Sequence, residues 1–458
     1  MLVRLRSFEV RLLFCCAAYW PSVGGVQEVI RQIAEQMVKA GHDVTVATSV
    51  HPARTTRLHN GVRIQEFQVD GSLVAGIHGE ADRYRDFVKG FDGDAVLIKA
   101  AQQWSFDVLW PVLDNIKIRK VFIPCGFSGL YEPAFADYFT KMPEILRKFD
   151  HLIFYSENYR DIDFARAHGI SNYSIVPNGA SESEFDRAAD GTLRAKLGIA
   201  NDDFLFLTVG SPIEGKGHRE VNDAFAQMDV GSRNATLILN GRWTKPERRS
   251  LLPILRLLLR PPAVKKGIDL LVREGWRSVW GRLFPKPPPL LKPADQRPDD
   301  NDGRAAQLRA GTKRVLCPDL PREDVVNAFL EADLFVFASK VEYSPLVLFE
   351  SAAAGTPFLT VPVGNSREIV RWTGGGWICP AEVDDRGYTQ VSPVVLAREM
   401  EKAMRSPEYL RQLGETGHRA WQARFTWARI AQSYERILRG ETVMTPLQAE
   451  AVERAVNE

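Results

Sequence analysis

Short apolar runs alternate with amphipathic, helix-prone segments along most of this chain. Runs rich in β-branched and aromatic residues predict strands at 43–48, 62–69, 95–100, 121–125 and 151–156, and again at 204–210, 235–240, 314–317, 333–339 and 357–361. The run 173–179 predicts a further short strand that ends in a Pro-Asn-Gly turn. This alternation is typical of parallel sheets that are covered by helices on both faces.

The first of these units lies close to the N-terminus. Val26, Ile30, Ile33 and Met37 recur at helical spacing between an apolar run and Gly41. Arginines followed by the apolar run 12–18 also resemble a short signal peptide. The complete strand–helix–strand pattern favours a first β-strand instead, so we expect a cytoplasmic chain.

A polar stretch at 181–203 separates two such series and predicts an α/β protein with two Rossmann-like domains. We place the N-terminal domain at 1–185 and the C-terminal domain at 186–420. A closing helix at 421–440 has an apolar stripe of Trp427, Ile430, Tyr434 and Leu438. Residues 441–458 form a tail.

One stretch, 242–313, interrupts the alternation as an insertion that contains Trp and Pro. Residues 242–293 contain thirteen Lys and Arg against three acidic residues. Val272, Trp276, Val279 and Leu283 share one helical face there. This pattern is typical of a helix on an anionic membrane surface, and it is equally typical of a surface insertion that packs on its own domain.

The composition excludes several classes of protein. The chain has 458 residues and a formal net charge of +2, which indicates no nucleic-acid partner. Five scattered cysteines without a CxxC pair indicate small buried apolar residues in a reducing compartment. No apolar run approaches the length of a transmembrane helix.

Two glutamates, Glu342 and Glu350, lie eight positions apart at a predicted strand-to-helix junction. Ligands of open α/β sheets bind beyond the carboxyl ends of the strands, where these carboxylates can accept hydrogen bonds from hydroxyl groups. The backbone at Ser344, Pro345, Leu346 and Val347 opens a helix and suits an anion. Together they predict a nucleotide-sugar site; the alternative is a capping glutamate followed by a solvated one.

Two glycine-containing turns follow strands in the same way. Gly24 and Gly25 open the first helix, where glycine permits close approach of a phosphate. Lys216 lies in the Gly-rich run 210–217 at the start of another helix. A lysine there opposes the helix dipole, and a bound diphosphate would relieve that conflict. Neither turn is a G-x-G-x-x-G dinucleotide fingerprint, which disfavours an NAD-dependent oxidoreductase.

These motifs in order resemble the family-4 glycosyltransferases of the GT-B fold. The resemblance rests on Pro-Ser-Val-Gly-Gly at 21–25, Val-Pro-Asn-Gly at 176–179, the run 210–217, and Glu342-x7-Glu350 followed by Gly-Thr-Pro at 355–357. It covers 9–438 except the basic insertion.

The resemblance implies that the two domains face a cleft, with 1–185 as the acceptor-side domain and 186–420 as the nucleotide-sugar-binding domain. It also implies a role for each matched position. Glu350 would bind the ribose hydroxyls, Glu342 would hold the transferred sugar near its anomeric carbon, and Lys216 would neutralise the diphosphate. The backbone from Ser344 to Val347 and at Gly24 and Gly25 would contact sugar and phosphate. The family transfers sugars with retention and without a bound metal, so we expect no metal and no cofactor besides the donor substrate.

The chain departs from the family at two positions. Ser211 stands where many relatives have an arginine in the phosphate motif, and Cys125 stands where relatives often have a histidine that faces the acceptor. Ser128 is a candidate polar contact to the acceptor, with a structural glycine turn as the alternative.

The sequence therefore predicts a retaining glycosyltransferase that works at the inner face of a membrane on a lipid-linked or cell-surface polysaccharide acceptor. Two alternatives remain: a catalytically silent subunit that only binds the nucleotide sugar, and a GT-B sugar-nucleotide epimerase.

Overall fold

The structure, a computed structural model, describes residues 9–241 and 311–441. The strands of the first half are β1 Arg11–Cys15, β2 Asp43–Ser49, β3 Leu58–His59, β4 Val62–Phe67, β5 Val69–Ser72, β6 Gly76–Gly79, β7 Ala95–Lys99, β8 Arg119–Ile123, β9 His151–Phe154 and β10 Tyr173–Ile175. Those of the second half are β11 Phe204–Val209, β12 Ala235–Asn240, β13 Lys313–Leu316, β14 Leu334–Phe337, β15 Phe358–Thr360, β16 Gly376–Ile378, β17 Glu382–Val383 and β18 Thr389–Gln390.

Helices connect these strands. They are α1 Gly25–Lys39, α2 Ala81–Lys89, α3 Trp104–Asp107, α4 Ala136–Arg147, α5 Arg160–Ala167, α6 Glu182–Phe185, α7 Thr192–Leu197, α8 His218–Gln227, α9 Arg322–Glu331, α10 Leu346–Ala353, α11 Ser366–Thr373, α12 Pro393–Met404, α13 Pro407–Ala420 and α14 Trp427–Leu438. Short 3-10 helices span Trp110–Asn115, Pro133–Phe135 and Glu214–Lys216, and a π-helix spans Trp421–Phe425.

Two sheets organise the described residues. The first has the order β10-β9-β8-β7-β1-β2-β4-β3 and is parallel except for its edge strand β3. The second, β13-β12-β11-β14-β15-β16, is parallel throughout. Strands such as β12 are buried along their whole length because helices cover both faces, which explains their continuous apolar runs.

The predicted strands and the α/β architecture are confirmed. The structure also contains two small hairpins that the sequence does not predict. β5 pairs with β6, and β17 pairs with β18, both antiparallel. Their sequences contain few apolar residues, so period-two patterning does not reveal them. Among the described residues no helix is long and apolar enough to cross a membrane.

The C-terminal helix returns to the first half of the chain. Trp427, Ile430, Tyr434 and Leu438 are buried in the core around β1 and α1, as the apolar stripe predicts. The expectation of one continuous helix from 421 is wrong, because extended backbone at Thr426 separates the π-helix from α14. Ala180 pairs with Thr426 as an isolated bridge, so two segments cross between the halves side by side.

Two other predictions need comment. All five cysteines are free, but Cys317 is exposed rather than buried. The basic segment 242–310 and the tail 442–458 lie outside the described residues, so membrane contact stays a prediction.

Candidate functional site

The two glutamates occupy the predicted junction at the carboxyl edge of the second sheet. Glu342 follows β14 in the turn that leads to α10, and Glu350 lies one turn into that helix. The Glu342 side chain is 16% exposed and accepts a hydrogen bond from the Ser339 hydroxyl at 3.0 Å. Glu350 is almost completely buried. Neither is a freely solvated surface glutamate.

Lys216 lies next to Glu342, with 2.5 Å between Nζ and Oε1. The expectation that Lys216 lies in the first turn of a helix is wrong. It ends a 3-10 turn, and α8 begins two residues later at His218. Gly217 has a φ of +72°, and a Cβ there would lie 2.0 Å from the carbonyl oxygen of Ala338. This close packing of the turn on the end of β14 places the ammonium beside the carboxylate.

Glu350 also has a cationic partner, which sequence reasoning missed. Nη2 of Arg322 lies 2.7 Å from Glu350 Oε1 and 2.7 Å from Glu184 Oε2. Burial raises the pKa of Glu350, and the Arg322 guanidinium opposes that shift. Arg322 begins α9 just beyond the carboxyl end of β13, so the topological rule that located Glu342 also applies to it.

The start of α10 fits an anion only in part. Pro345 is the N-cap and has no N–H, so its predicted role as an amide donor is wrong, and Ser344, Leu346 and Val347 remain. The Ser344 hydroxyl is buried and has no hydrogen-bond partner among the described residues. It can therefore bond to a ligand or to water.

The glycine turn of the first half faces this helix across the cleft. A Cβ on Gly25 would lie 3.9 Å from Cδ1 of Leu346. Glu28, in the first turn of α1, is close enough to raise the pKa of Glu350 through charge repulsion. The structure thus brings Gly24 and Gly25 to the same cleft as the second-half residues.

The two acceptor-side candidates lie in the loop after β8. Cys125 has a φ of +61° and is partly buried, and burial raises the pKa of its thiol. Ser128 is exposed, and its hydroxyl donates a hydrogen bond to Gln102 Oε1 at 3.3 Å. Ala100 and Gln102, after the neighbouring strand β7, also have positive φ. Strained backbone collects at this edge, as it does at many functional sites.

The geometry offers two carboxylates, two cations and free backbone amides at one sheet edge. Such a set can hold a ligand that carries both hydroxyl groups and phosphates, because carboxylates accept from hydroxyls and cations pair with phosphate oxygens. The metal-free character of the site stays a prediction.

Comparison with known proteins gives one family match. Residues 299–419 match the family described as Glycosyl transferases group 1. A mannosylfructose-phosphate synthase from Agrobacterium fabrum is 28% identical over 195 residues, 41% of this chain and 40% of that protein. YtcC from Bacillus subtilis is 28% identical over 129 residues, 28% of this chain and 29% of that protein. The matches thus span less than half the length of these curated relatives.

Solved structures resemble nearly the whole chain. A sucrose-phosphate synthase from Thermosynechococcus elongatus has a TM-score of 0.63 at 18% identity, covering 94% of this chain and 98% of its own. HepE from Anabaena, in complex with UDP and glucose, has a TM-score of 0.61 at 16% identity, covering 94% and 100%. These similarities confirm the GT-B fold. The family match and the relatives support a glycosyltransferase enzyme.

Proposed function

We propose that this protein transfers a sugar from a nucleotide-diphosphate sugar. The observation that carries the proposal is the contact between Lys216 and Glu342 at 2.5 Å, in a cleft that also contains the buried Glu350. A cation beside a carboxylate suits a substrate in which a diphosphate adjoins sugar hydroxyls. The group 1 family match and the HepE structure with UDP and glucose support the same conclusion.

The roles in this proposal are those that the resemblance implies. Glu350 accepts hydrogen bonds from the ribose, and Arg322 pairs with the same carboxylate. Glu342 accepts from hydroxyls of the transferred sugar. When the bond between the anomeric carbon and the diphosphate breaks, negative charge develops on the leaving phosphate, and Lys216 with the α10 amides stabilises it.

The test is calorimetric titration with UDP, GDP and ADP. One of these nucleotides should bind wild type, and Glu350→Ala should weaken it by about 1–3 kcal/mol through the lost hydrogen bonds. Glu323→Ala, on the exposed side of α9, is the matched control and should leave the affinity unchanged. Absence of binding by all three nucleotides would contradict the proposal.

We also propose the finer features that the sequence resemblance implies: retention of the anomeric configuration, activity without a metal, and a lipid-linked or cell-surface polysaccharide acceptor near Cys125 and Ser128. Product analysis by NMR in the presence of EDTA tests the first two. Nucleotide binding without any transfer would favour a silent binding subunit. Release of an altered free nucleotide sugar would favour an epimerase.

A further inference from the structure

The turn that carries Glu342 is held by the opposite half of the molecule. The Tyr159 hydroxyl, in the first half, donates a hydrogen bond to the backbone carbonyl of Glu342 at 2.6 Å. The backbone amide of Tyr155 donates to the hydroxyl of Tyr343 at 3.0 Å. Glu342 and Tyr343 are therefore each hydrogen bonded to a residue that lies 183 or more positions away in the sequence.

The third residue of the turn is held in the same way. Asn178, in the segment that connects the halves, donates from Nδ2 to the carbonyl oxygen of Ser344 at 3.0 Å. We call residues 342–344 the donor turn. From its own half, the donor turn has support from the Asn365 amide, which donates to the Tyr343 carbonyl at 2.9 Å.

Tyr343 packs its ring into the first half. Its ring centroid lies 4.7 Å from that of Tyr159 and 5.4 Å from that of Tyr155. Its hydroxyl, which accepts from the Tyr155 amide, has a pKa that burial raises, and the charge of the nearby, fully buried Asp161 adds to that shift. The centre of this contact is therefore a hydrogen-bonded junction that contains a buried carboxylate, and not only an apolar surface.

The same junction reaches the acceptor-side loop. The Gly126 amide donates to Asp161 Oδ2 at 2.7 Å. A Cβ on Gly126 would lie 3.0 Å from Cγ of Tyr343, and the φ of Gly126 is +88°. Cys125 and Ser128 flank this glycine. The loop that contains both acceptor-side candidates therefore touches the donor turn through one tyrosine ring.

We propose that docking of Tyr343 onto the first half positions Glu342, so that Tyr159 and Tyr343 are positioning residues and the acceptor-side loop is coupled to the donor turn through Tyr343. The proposal rests on the proposed function for the role of Glu342. A hydrogen bond to the backbone of Glu342 fixes the direction in which its carboxylate leaves the turn. Separation of the halves removes three constraints on the donor turn at once and leaves the Glu342 carboxylate held only by Ser339 and Lys216 of its own half.

Amide hydrogen exchange of the full-length protein without ligand tests the docking directly. Tyr159→Phe removes one hydroxyl and keeps the ring, and Tyr343→Phe removes the hydroxyl at the junction. Both should raise exchange in a peptide covering 339–348, while a peptide covering β12 stays protected. Tyr131→Phe, a tyrosine that is 53% exposed on the same half, is the control and should change nothing.

A kinetic measurement separates positioning from nucleotide binding. With UDP-glucose, GDP-mannose and ADP-glucose as probes, Tyr159→Phe should lower turnover about 3- to 10-fold and leave KM for the donor unchanged. Exchange at 339–348 equal to wild type in both variants would overturn the proposal, and so would loosening of the whole chain. If wild type neither binds nor turns over any probe, the proposed function is overturned. The docking of Tyr343 is then still tested by the hydrogen-exchange measurement.

Discussion

Arg322 and Glu350 form an ion pair of 2.7 Å in which the Glu350 side chain is 10% exposed and the Arg322 side chain is 45% exposed. The same guanidinium reaches Glu184, in the segment that joins the two halves. Glu350, which we propose binds the nucleotide, is thus connected through the Arg322 side chain to the segment that joins the two halves. This relationship makes Arg322 part of the site although it follows a different strand.

A double-mutant cycle should show that this pair is coupled. We expect an interaction energy of about 1–3 kcal/mol between Arg322→Gln and Glu350→Gln, because Arg322→Gln leaves the buried Glu350 carboxylate without its cation. The exposed helical pair Arg411 and Glu408 is the control, and screening by solvent should make its interaction energy much smaller. Urea denaturation gives all the free energies of unfolding. Equal coupling in the two pairs would refute the special role of burial.

Lys216→Met should distinguish phosphate binding from nucleoside binding. Loss of a charge-assisted contact should lower the affinity for a nucleoside diphosphate by about 1.5–3 kcal/mol and leave the free nucleoside unaffected. Lys340→Met removes a nearby lysine of similar exposure that pairs with Glu220 at 2.9 Å, and it should bind like wild type. Calorimetry measures the affinity of each variant for both ligands. An equal loss of affinity for the nucleoside and the nucleoside diphosphate would show that Lys216 does not contact the phosphates.

Asp161→Asn should change how stability depends on pH. Burial raises the pKa of Asp161 to about 7, far above its unfolded value, so its contribution to stability falls as pH rises from about 4 through 7. Asparagine cannot ionise. From pH 6 to pH 8 the variant should therefore gain about 1 kcal/mol relative to wild type. Burial lowers the pKa of His151 to about 4, and this opposite trend cancels because both proteins contain it.

The measurement for Asp161 is urea denaturation of both proteins at pH 6, 7 and 8. A constant difference between them across this range would show that Asp161 is ionised throughout. Only the change of this difference with pH is informative, since the asparagine also alters the hydrogen bonds that Asp161 accepts from the Gly126 and Ile162 amides.

Gly217→Ala should destabilise the protein more than a matched glycine change. Both Gly217 and Gly231 have left-handed backbone, with φ of +72° and +58°, but only Gly217 faces a backbone oxygen within 4 Å. Gly231→Ala should cost about 1–2 kcal/mol from its backbone conformation alone. Gly217→Ala should exceed that in chemical denaturation and should also weaken diphosphate binding, because the turn that carries Lys216 must shift. Equal costs would mean that the turn moves freely.

The basic insertion can be tested from its charge alone. If residues 242–293 bind an anionic surface, replacing them with a short Gly-Ser linker should abolish co-sedimentation with vesicles that contain phosphatidylglycerol. Wild type should sediment less as salt rises, because screening weakens surface charge interactions. Vesicles of phosphatidylcholine are the control. Undiminished sedimentation of the deletion variant would assign binding to the rest of the chain.

Much of the donor side could be predicted because it depends on local order along the chain. The succession of a strand, a turn and a helix predicts that Glu342 and Glu350 lie at the carboxyl edge of the sheet. The same succession predicts the position of Lys216 to within two residues of the start of α8. The Thr426 break was missed because its neighbours on both sides are helical, so apolar periodicity continues through it.

The contacts made by Arg322, Tyr159 and Asp161 could not be predicted in the same way. Each joins segments that are far apart in the sequence, and a single chain gives no signal for which arginine or tyrosine meets which partner. Tyr343 illustrates the limit. It lies between two recognised motif residues, and only the packing of the halves shows that it belongs to both.

The side-by-side passage of Ala180 and Thr426 has a consequence for dissecting this molecule. Because α14 completes the core beneath α1, the N-terminal half is built from two separate stretches of sequence. A fragment that stops near residue 200 would leave open to water the apolar side of α1 and the parts of β7 and β8 that α14 covers. No single cut yields both halves intact, so the first half cannot complete its core until residues 427–438 have been synthesised.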